Sequence, residues 1–126
     1  MDIYALDHLV LTVADIDKSI AFYTKVLGMK ETTFGSGRKA LVFGQQKINL
    51  HQAGAEVLPN AKNATCGSAD LCLLTHTPLE QVLLELAEHN IKPLSHIVTR
   101  TGAVGEIKSV YLRDPDGNLI EISTYV

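Results

Sequence analysis

The chain has 126 residues, 46% of them hydrophobic and 20% charged, with a formal net charge of −3. That length suits one domain with a real core, and the mildly acidic balance, with no basic stripe, argues against a nucleic-acid partner. No apolar run nears the ~20 residues that span a bilayer, Met1-Asp2-Ile3-Tyr4 lacks the basic lead-in of a secretory signal, and two cysteines are too few for a disulfide framework, so a cytoplasmic protein without a membrane partner is expected.

From His8, the run Leu9-Val10-Leu11-Thr12-Val13 is rich in β-branched residues and predicts a strand. Asp15 stands where a helix N-cap belongs; Ile16, Ile20, Phe22, Tyr23 and Leu27 follow at helical spacing, and Gly28 closes the helix. Three further strands are predicted over residues 30–34, 39–43 and 47–51. Residues 53–67 carry Gly54, Pro59, Asn60, Asn63 and Gly67 without periodicity and read as a linker.

The pattern then restarts. Asp70 leads into the apolar run Leu71-Cys72-Leu73-Leu74-Thr75, in which Cys72 is expected as a small buried hydrophobe. Thr77-Pro78-Leu79-Glu80 reads as a capping box with Pro at the first helical position, and Leu79, Val82, Leu83, Leu86 and Ala87 form the apolar stripe of a helix ending near Asn90. Strands are predicted at 92–99, 107–112 and 119–124, the last after the tight turn Asp114-Pro115-Asp116-Gly117. His8 to Asp15 and Asp70 to Thr77 are both steps of seven, so the two cap candidates stand alike relative to their strands. The expected fold is therefore α+β: one domain over 1–126, built from two tandem βαβββ modules (about 5–52 and 68–126). Together they would form a curved mixed sheet with helices outside and a ligand or metal cleft inside.

Superimposing the modules puts His8 on Asp70, Asn49 on Glu121 and His51 on Ser123. Glu121, between Ile120 and Ile122, faces either solvent or something that justifies an inward charge. Residues two apart share a strand face. If the concave face is theirs, His8, His51, Asp70 and Glu121 converge with Asn49 close by, a donor set suited to Zn, Ni, Co, Mn or Fe(II). His76, His89 and His96 fall near loops and helix ends and read as surface residues. Arg38, Lys39, Arg100 and Arg113, with Thr101, Ser109 and Tyr111, are candidates for holding an anionic tail of a small-molecule substrate, and residues 100–105 read as a flexible loop.

The segments Leu6-Asp7-His8-Leu9-Val10-Leu11-Thr12-Val13, Ser19-Ile20-Ala21-Phe22-Tyr23, Val26-Leu27-Gly28-Met29 and Asp114-Pro115-Asp116-Gly117-Asn118-Leu119-Ile120-Glu121 resemble the vicinal oxygen chelate superfamily, which includes glyoxalase I, fosfomycin-resistance proteins, bleomycin-binding proteins, methylmalonyl-CoA epimerase and extradiol dioxygenases. Arg38-Lys39-Ala40-Leu41, Lys47-Ile48-Asn49-Leu50-His51, Gly67-Ser68-Ala69-Asp70-Leu71-Cys72 and Arg100-Thr101-Gly102-Ala103 resemble the glyoxalase domain-containing protein five subgroup, whose bacterial relatives are labelled virulence proteins or lactoylglutathione lyases. The resemblance implies metal ligands at His8 and Glu121. It puts Asp70 where the superfamily usually has His and Asn49 where glyoxalase I and the epimerase have Glu or Gln, with His51 as a substitute donor. It implies a metal-dependent lyase or isomerase in which Glu121, with Asp70 as second candidate, moves a proton between neighbouring carbons of a substrate such as a glutathione hemithioacetal, through a stabilised enediolate. The same resemblance also accommodates a ring-cleaving dioxygenase, a thiol transferase or a metal-free drug-binding protein. It implies a two-fold homodimer.

Overall fold

A computed structural model describes all residues, Met1–Val126. The chain divides into two compact units, Met1–Gly67 and Ser68–Val126.

The first unit runs β1 (His8–Val13), α1 (Ile16–Lys25), β2 (Lys30–Phe34), β3 (Arg38–Phe43) and β4 (Gln46–Gln52). Its four-stranded sheet has the order β1-β4-β3-β2, with β1 parallel to β4 and the other pairs antiparallel. Asp15 caps α1 as expected, its Oδ1 accepting from the Lys18 N–H at 3.1 Å, which satisfies one of the orphan donors of the first turn. At the other end Gly28 takes φ +73°, and the N–H groups of Gly28 and Met29 return to the carbonyls of Thr24 and Tyr23. Only glycine adopts that backbone cheaply. Leu11, Val13, Leu41, Ile48 and Leu50 fill one sheet face and are buried, as is Tyr23 of α1; the alternation of apolar residues along β1 and β4 is what turns this face to the core. Gln52 joins the strand end to the turn before the helix, accepting from the Ile16 N–H and donating to the Ala14 carbonyl.

The second unit repeats the order: β5 (Asp70–Leu74), α2 (Leu79–Glu88), β6 (Val98–Thr101), β7 (Glu106–Arg113) and β8 (Leu119–Tyr125), with sheet order β5-β8-β7-β6. Val110, Leu112, Ile120 and Ile122 are buried on one face, together with Leu79 and Leu86 of α2. The ladders reproduce the expected superposition: His8 pairs with Lys47 and Val10 with Asn49, as Asp70 pairs with Leu119 and Cys72 with Glu121. The α+β class and the doubled βαβββ order are as expected. The strands pair in two open four-stranded sheets rather than one sheet of eight, because every ladder stays within its own unit.

Three local expectations are corrected. Thr77 does not cap α2: the helix begins at Leu79, Pro78 takes the N-cap position with ψ 138°, and there is no side-chain cap bond. The Thr77 N–H is taken instead by Thr75 Oγ1 at 3.0 Å, a local turn that keeps Thr77 outside the helix. The strand expected over 92–99 begins only at Val98 and runs to Thr101, so Arg100 and Thr101 belong to β6 and not to a loop. Pro93 has no N–H to contribute to a ladder, and the Leu94 N–H goes to the Tyr111 carbonyl. Cys72 is exposed rather than buried, since the α2 side of the sheet is taken by its neighbours in alternation, Leu71 and Leu73.

Candidate functional site

In the first unit, the face opposite the apolar one carries His8, Val10 and Thr12 of β1, Asn49 and His51 of β4, and Ala40 of β3, by strand register. His8 opens β1 with a half-exposed side chain, its Nδ1 2.7 Å from Asp7 Oδ2. A carboxylate on one ring nitrogen orients the other. Asn49 and His51 are buried, 5% and 4% exposed, yet Asn49 Oδ1 and both ring nitrogens of His51 lack hydrogen-bond partners. Buried polar atoms are seldom left this way. Arg38 shares this region, its guanidinium 4.7 Å from the centre of the Phe34 ring. Lys39 points elsewhere: it pairs opposite Leu50 on the core side of the sheet, and its Nζ meets Glu31 Oε2 at 3.0 Å. The structure therefore does not bring Lys39 to Asn49 and His51.

The His51 ring is held below its ordinary pKa of 6.5, chiefly by burial and then by the Arg38 charge, with Glu56 opposing. Burial and a like charge both disfavour the imidazolium. With a folded value below the unfolded one, the unfolded chain binds the proton first. The stabilisation is thus complete above about pH 6.5 and fades as pH falls through the lowered folded value. In metal-free protein, His51→Gln is expected to lose less melting temperature than the parent between about pH 7.5 and 5.5. Parallel losses in a pair of pH-dependent thermal scans would rule this out.

In the second unit, the corresponding face carries Asp70, Cys72 and Leu74 of β5, Glu121, Ser123 and Tyr125 of β8, and Ile107, Ser109 and Tyr111 of β7. Asp70 is exposed at the start of β5. Glu121 is half-buried near the middle of β8. Its Oε2 accepts from Ser109 Oγ at 2.5 Å and from Ser123 Oγ at 3.3 Å; the two hydroxyls are 2.7 Å apart, and Cys72 Sγ lies 3.3 Å from Ser123 Oγ. Ser109 and Ser123 are fully buried. Tyr111, opposite Glu121, accepts from Arg100 Nε at 3.1 Å. Arg113 lies at the far end of β7 and donates to the Gly117 carbonyl. A cavity of about 420 Å³ opens here, lined by Glu121, Cys72, Arg100, Thr101 and Tyr125 among others. The segment Gly102–Gly105 is tied to β8 by the Tyr125 hydroxyl, which accepts from the Val104 N–H at 3.2 Å. A Cβ on Gly102 would come within 2.8 Å of that hydroxyl and 2.9 Å of Ile107, so a side chain here would have to displace them.

Although the residue as a whole is exposed, its sulfur is partly covered, and that desolvation pushes the Cys72 thiol above its ordinary pKa; the Ser123 hydrogen bond opposes it, and the nearby carboxylates add a smaller push upward. Thiolate, not thiol, is the reactive form. In a disulfide-exchange labelling assay near neutral pH, Cys72 (in Cys66→Ser protein) is expected to react more slowly than Cys66 (in Cys72→Ser protein). Faster labelling of Cys72 would overturn this reading.

His76, His89 and His96 are exposed, as expected. Sequence reasoning passed over Ser123 and Tyr125. The spacing of Ser123 two residues after Glu121 was the available signal for one of them, since both then share a face.

Two open βαβββ sheets, each with a polar face opposite its helix, define a known class: the chain belongs to the Glyoxalase/Bleomycin resistance protein/Dioxygenase superfamily, whose model matches residues 5–122. It is similar to the virulence protein STM3117 of Salmonella typhimurium, 56% identical over 126 residues, covering all of this chain and 88% of that protein. The crystal structure of STM3117 superimposes with a TM-score of 0.98, each chain covered completely. The glyoxalase domain-containing protein RDO1 of Mycosarcoma maydis is 53% identical over 125 residues, 99% of this chain and 70% of that one. The fold is shared with a lactoylglutathione lyase from Agrobacterium tumefaciens at 22% identity and a TM-score of 0.74, covering 98% and 95% of the two chains. No helix is long and apolar enough to cross a membrane.

A divalent ion, common in this superfamily, suits the donors present in kind: unpartnered buried nitrogens on His51, a carboxylate-oriented imidazole on His8, and a Glu121 oxygen outside the serine hydrogen bonds. Within the chain no three His, Cys, Asp or Glu side chains gather closely enough to hold an ion.

Proposed function

We propose that the chain is a metal-dependent, glyoxalase-like lyase or isomerase, one domain over 1–126, acting on a small molecule with two adjacent oxygens. The observation that carries this reading is Glu121: a carboxylate with one oxygen fixed by two buried serines, set in the wall of a cavity. His8, His51, Asp70 and Glu121 would hold the ion (Zn, Ni, Co, Mn or Fe(II)), with Asn49 beside them, and a symmetric second copy would complete a donor set that one chain does not gather. When bound, such an ion polarises the paired substrate oxygens as a Lewis acid.

The chain's own groups do the rest. Glu121 Oε1 takes a proton from one carbon and returns it to its neighbour. Arg100 holds an anionic tail, as of a glutathione adduct, with Thr101 beside it; Leu74, Ile107 and Tyr125 supply the apolar part of the cavity wall. Asp70, exposed at the strand start, is the second candidate for proton transfer. Arg38 is a further candidate for anion binding within the first unit, and a reducing cytoplasm suits two cysteines that form no disulfide.

The test is metal analysis of protein purified without chelators, then a metal-reconstituted screen. Its substrates are methylglyoxal–glutathione hemithioacetal, catechols, and fosfomycin with thiols. Hemithioacetal turnover supports the proposal; catechol cleavage or thiol addition replaces it with dioxygenase or transferase chemistry. Less than about 0.2 metal per chain, without thermal stabilisation by added Ni, Mn, Zn or Fe(II), overturns it.

A further inference from the structure

The Glu121 side chain does not stand alone on its sheet. Four side chains from three strands form one hydrogen-bonded run across the polar face of the second unit: Cys72 on β5, Ser123 on β8, Ser109 on β7 and Glu121 on β8. Proton counting gives the run a direction. Each serine hydroxyl has one proton to donate. Ser109 gives its proton to Glu121 Oε2 at 2.5 Å, so in the 2.7 Å contact between the serines Ser123 must be the donor. The longer 3.3 Å contact from Ser123 to the same Oε2 competes for that proton. Ser123 in turn accepts from the Cys72 thiol. Every proton in the run points toward one carboxylate oxygen. The other oxygen, Oε1, takes no part, and Glu121 lines the cavity.

The duplication supplies an internal control. Val110 pairs with Ile122 in the second unit as Lys39 pairs with Leu50 in the first, so the positions of Ser109 and Ser123 correspond to Arg38 and His51, and that of Glu121 to Asn49. In the first unit no hydroxyls reach the equivalent side chain, and Asn49 Oδ1 has no partner. The serine pair is thus not a by-product of the fold, and both serines are fully buried, beyond any role in solubility.

We propose that Ser109 and Ser123 are positioning residues that clamp Glu121 through Oε2, dedicating Oε1 to the metal ion and substrate, with Cys72 as the thiol donor that ends the clamp at the cavity wall. This rests on the metal-dependent reading of the site. A clamped carboxylate loses less rotamer freedom on binding, and groups holding a ligand residue are typically worth about 10- to 100-fold in metal affinity.

The experiment is calorimetric titration of Mn(II) and Ni(II) into metal-free parent protein, Ser109→Ala, Ser123→Ala and the double variant, with melting temperature and circular dichroism recorded for each. The expected result is a Kd raised about 10- to 100-fold in Ser109→Ala and less in Ser123→Ala. The double variant is expected to be little worse than Ser109→Ala, because one run is broken in both. Nuclear magnetic relaxation of the Glu121 side-chain methylenes in metal-free protein adds a readout that a purely structural serine would not move: ordered in the parent, mobile in Ser109→Ala. Equal affinities and equally ordered Glu121 in parent and variants overturn the clamp while the metal reading stands. A parent that binds neither ion overturns the metal reading and the clamp together.

Discussion

Replacing Glu121 by glutamine will lower turnover by about 10²- to 10⁴-fold, the range expected when a positioned general base is removed. The substitution is chosen because the amide keeps the size of the side chain and an oxygen that accepts from Ser109, so the buried hydroxyls stay satisfied. What it removes is the negative charge and the basic oxygen facing the cavity. The expected pattern is therefore a large fall in kcat, weaker binding of divalent metal by calorimetry, and a nearly unchanged melting temperature. Activity within about threefold of the parent would show that Glu121 is not the base. A large fall in melting temperature would instead make the carboxylate a structural element of the serine network. Asp70→Asn run in parallel tests the second candidate, and its exposure at the start of β5 predicts the smaller loss.

The largest loss of stability is expected from Asp114→Ala. This carboxylate is 5% exposed and organises the turn into β8. Its Oδ1 accepts from the N–H groups of Asp116 and Asn118, both at 2.9 Å, and its Oδ2 from Asn118 Nδ2 at 2.8 Å. Asn118, itself buried, then uses its Oδ1 to accept from the Ala69 N–H at 2.8 Å, tying the start of β8 to the start of β5. Gly117 closes the turn with φ +84° and its N–H on the Asp114 carbonyl. Alanine at 114 leaves several donors without acceptors, each worth about 1–3 kcal/mol when buried. A total loss of about 3 kcal/mol or more in urea unfolding, with an unchanged m-value, is the expected result. A loss below about 1 kcal/mol would mean that water or a rearranged turn replaces the carboxylate. The effect on the site is indirect but definite, since Asp114 sets the point where the Glu121 strand begins.

The Asp-Pro-Asp-Gly turn and the odd carboxylate seven residues after Asp114 were both visible along the chain, and so was the module order. A helix cap such as Asp15 satisfies a donor three residues away, and the alternation in Leu119 to Tyr125 reports burial with period two. Such signals are local, and the repeat lets each module check the other. The ladders agree with that superposition: Asn49 pairs with Val10 as Glu121 pairs with Cys72. Thr77 is not the cap because α2 begins one residue later than the spacing implied, with Pro78 in the N-cap position, while the Thr77 N–H closes a local turn on Thr75 Oγ1.

Other features depended on neighbours far apart in the chain. The side of the sheet that Lys39 faces was set by its pairing opposite Leu50, and Glu31 then claimed its charge. Cys72 looked like core because its neighbours in sequence are leucines, whereas its neighbours in space are Ser123 and Glu121. The sequence by itself determined the doubled βαβββ plan and marked Glu121 and His8 as the residues to examine. Only the tertiary structure decided which polar groups meet, because a diagonal contact such as Ser109 to Glu121 exists only once the register of two strands is set.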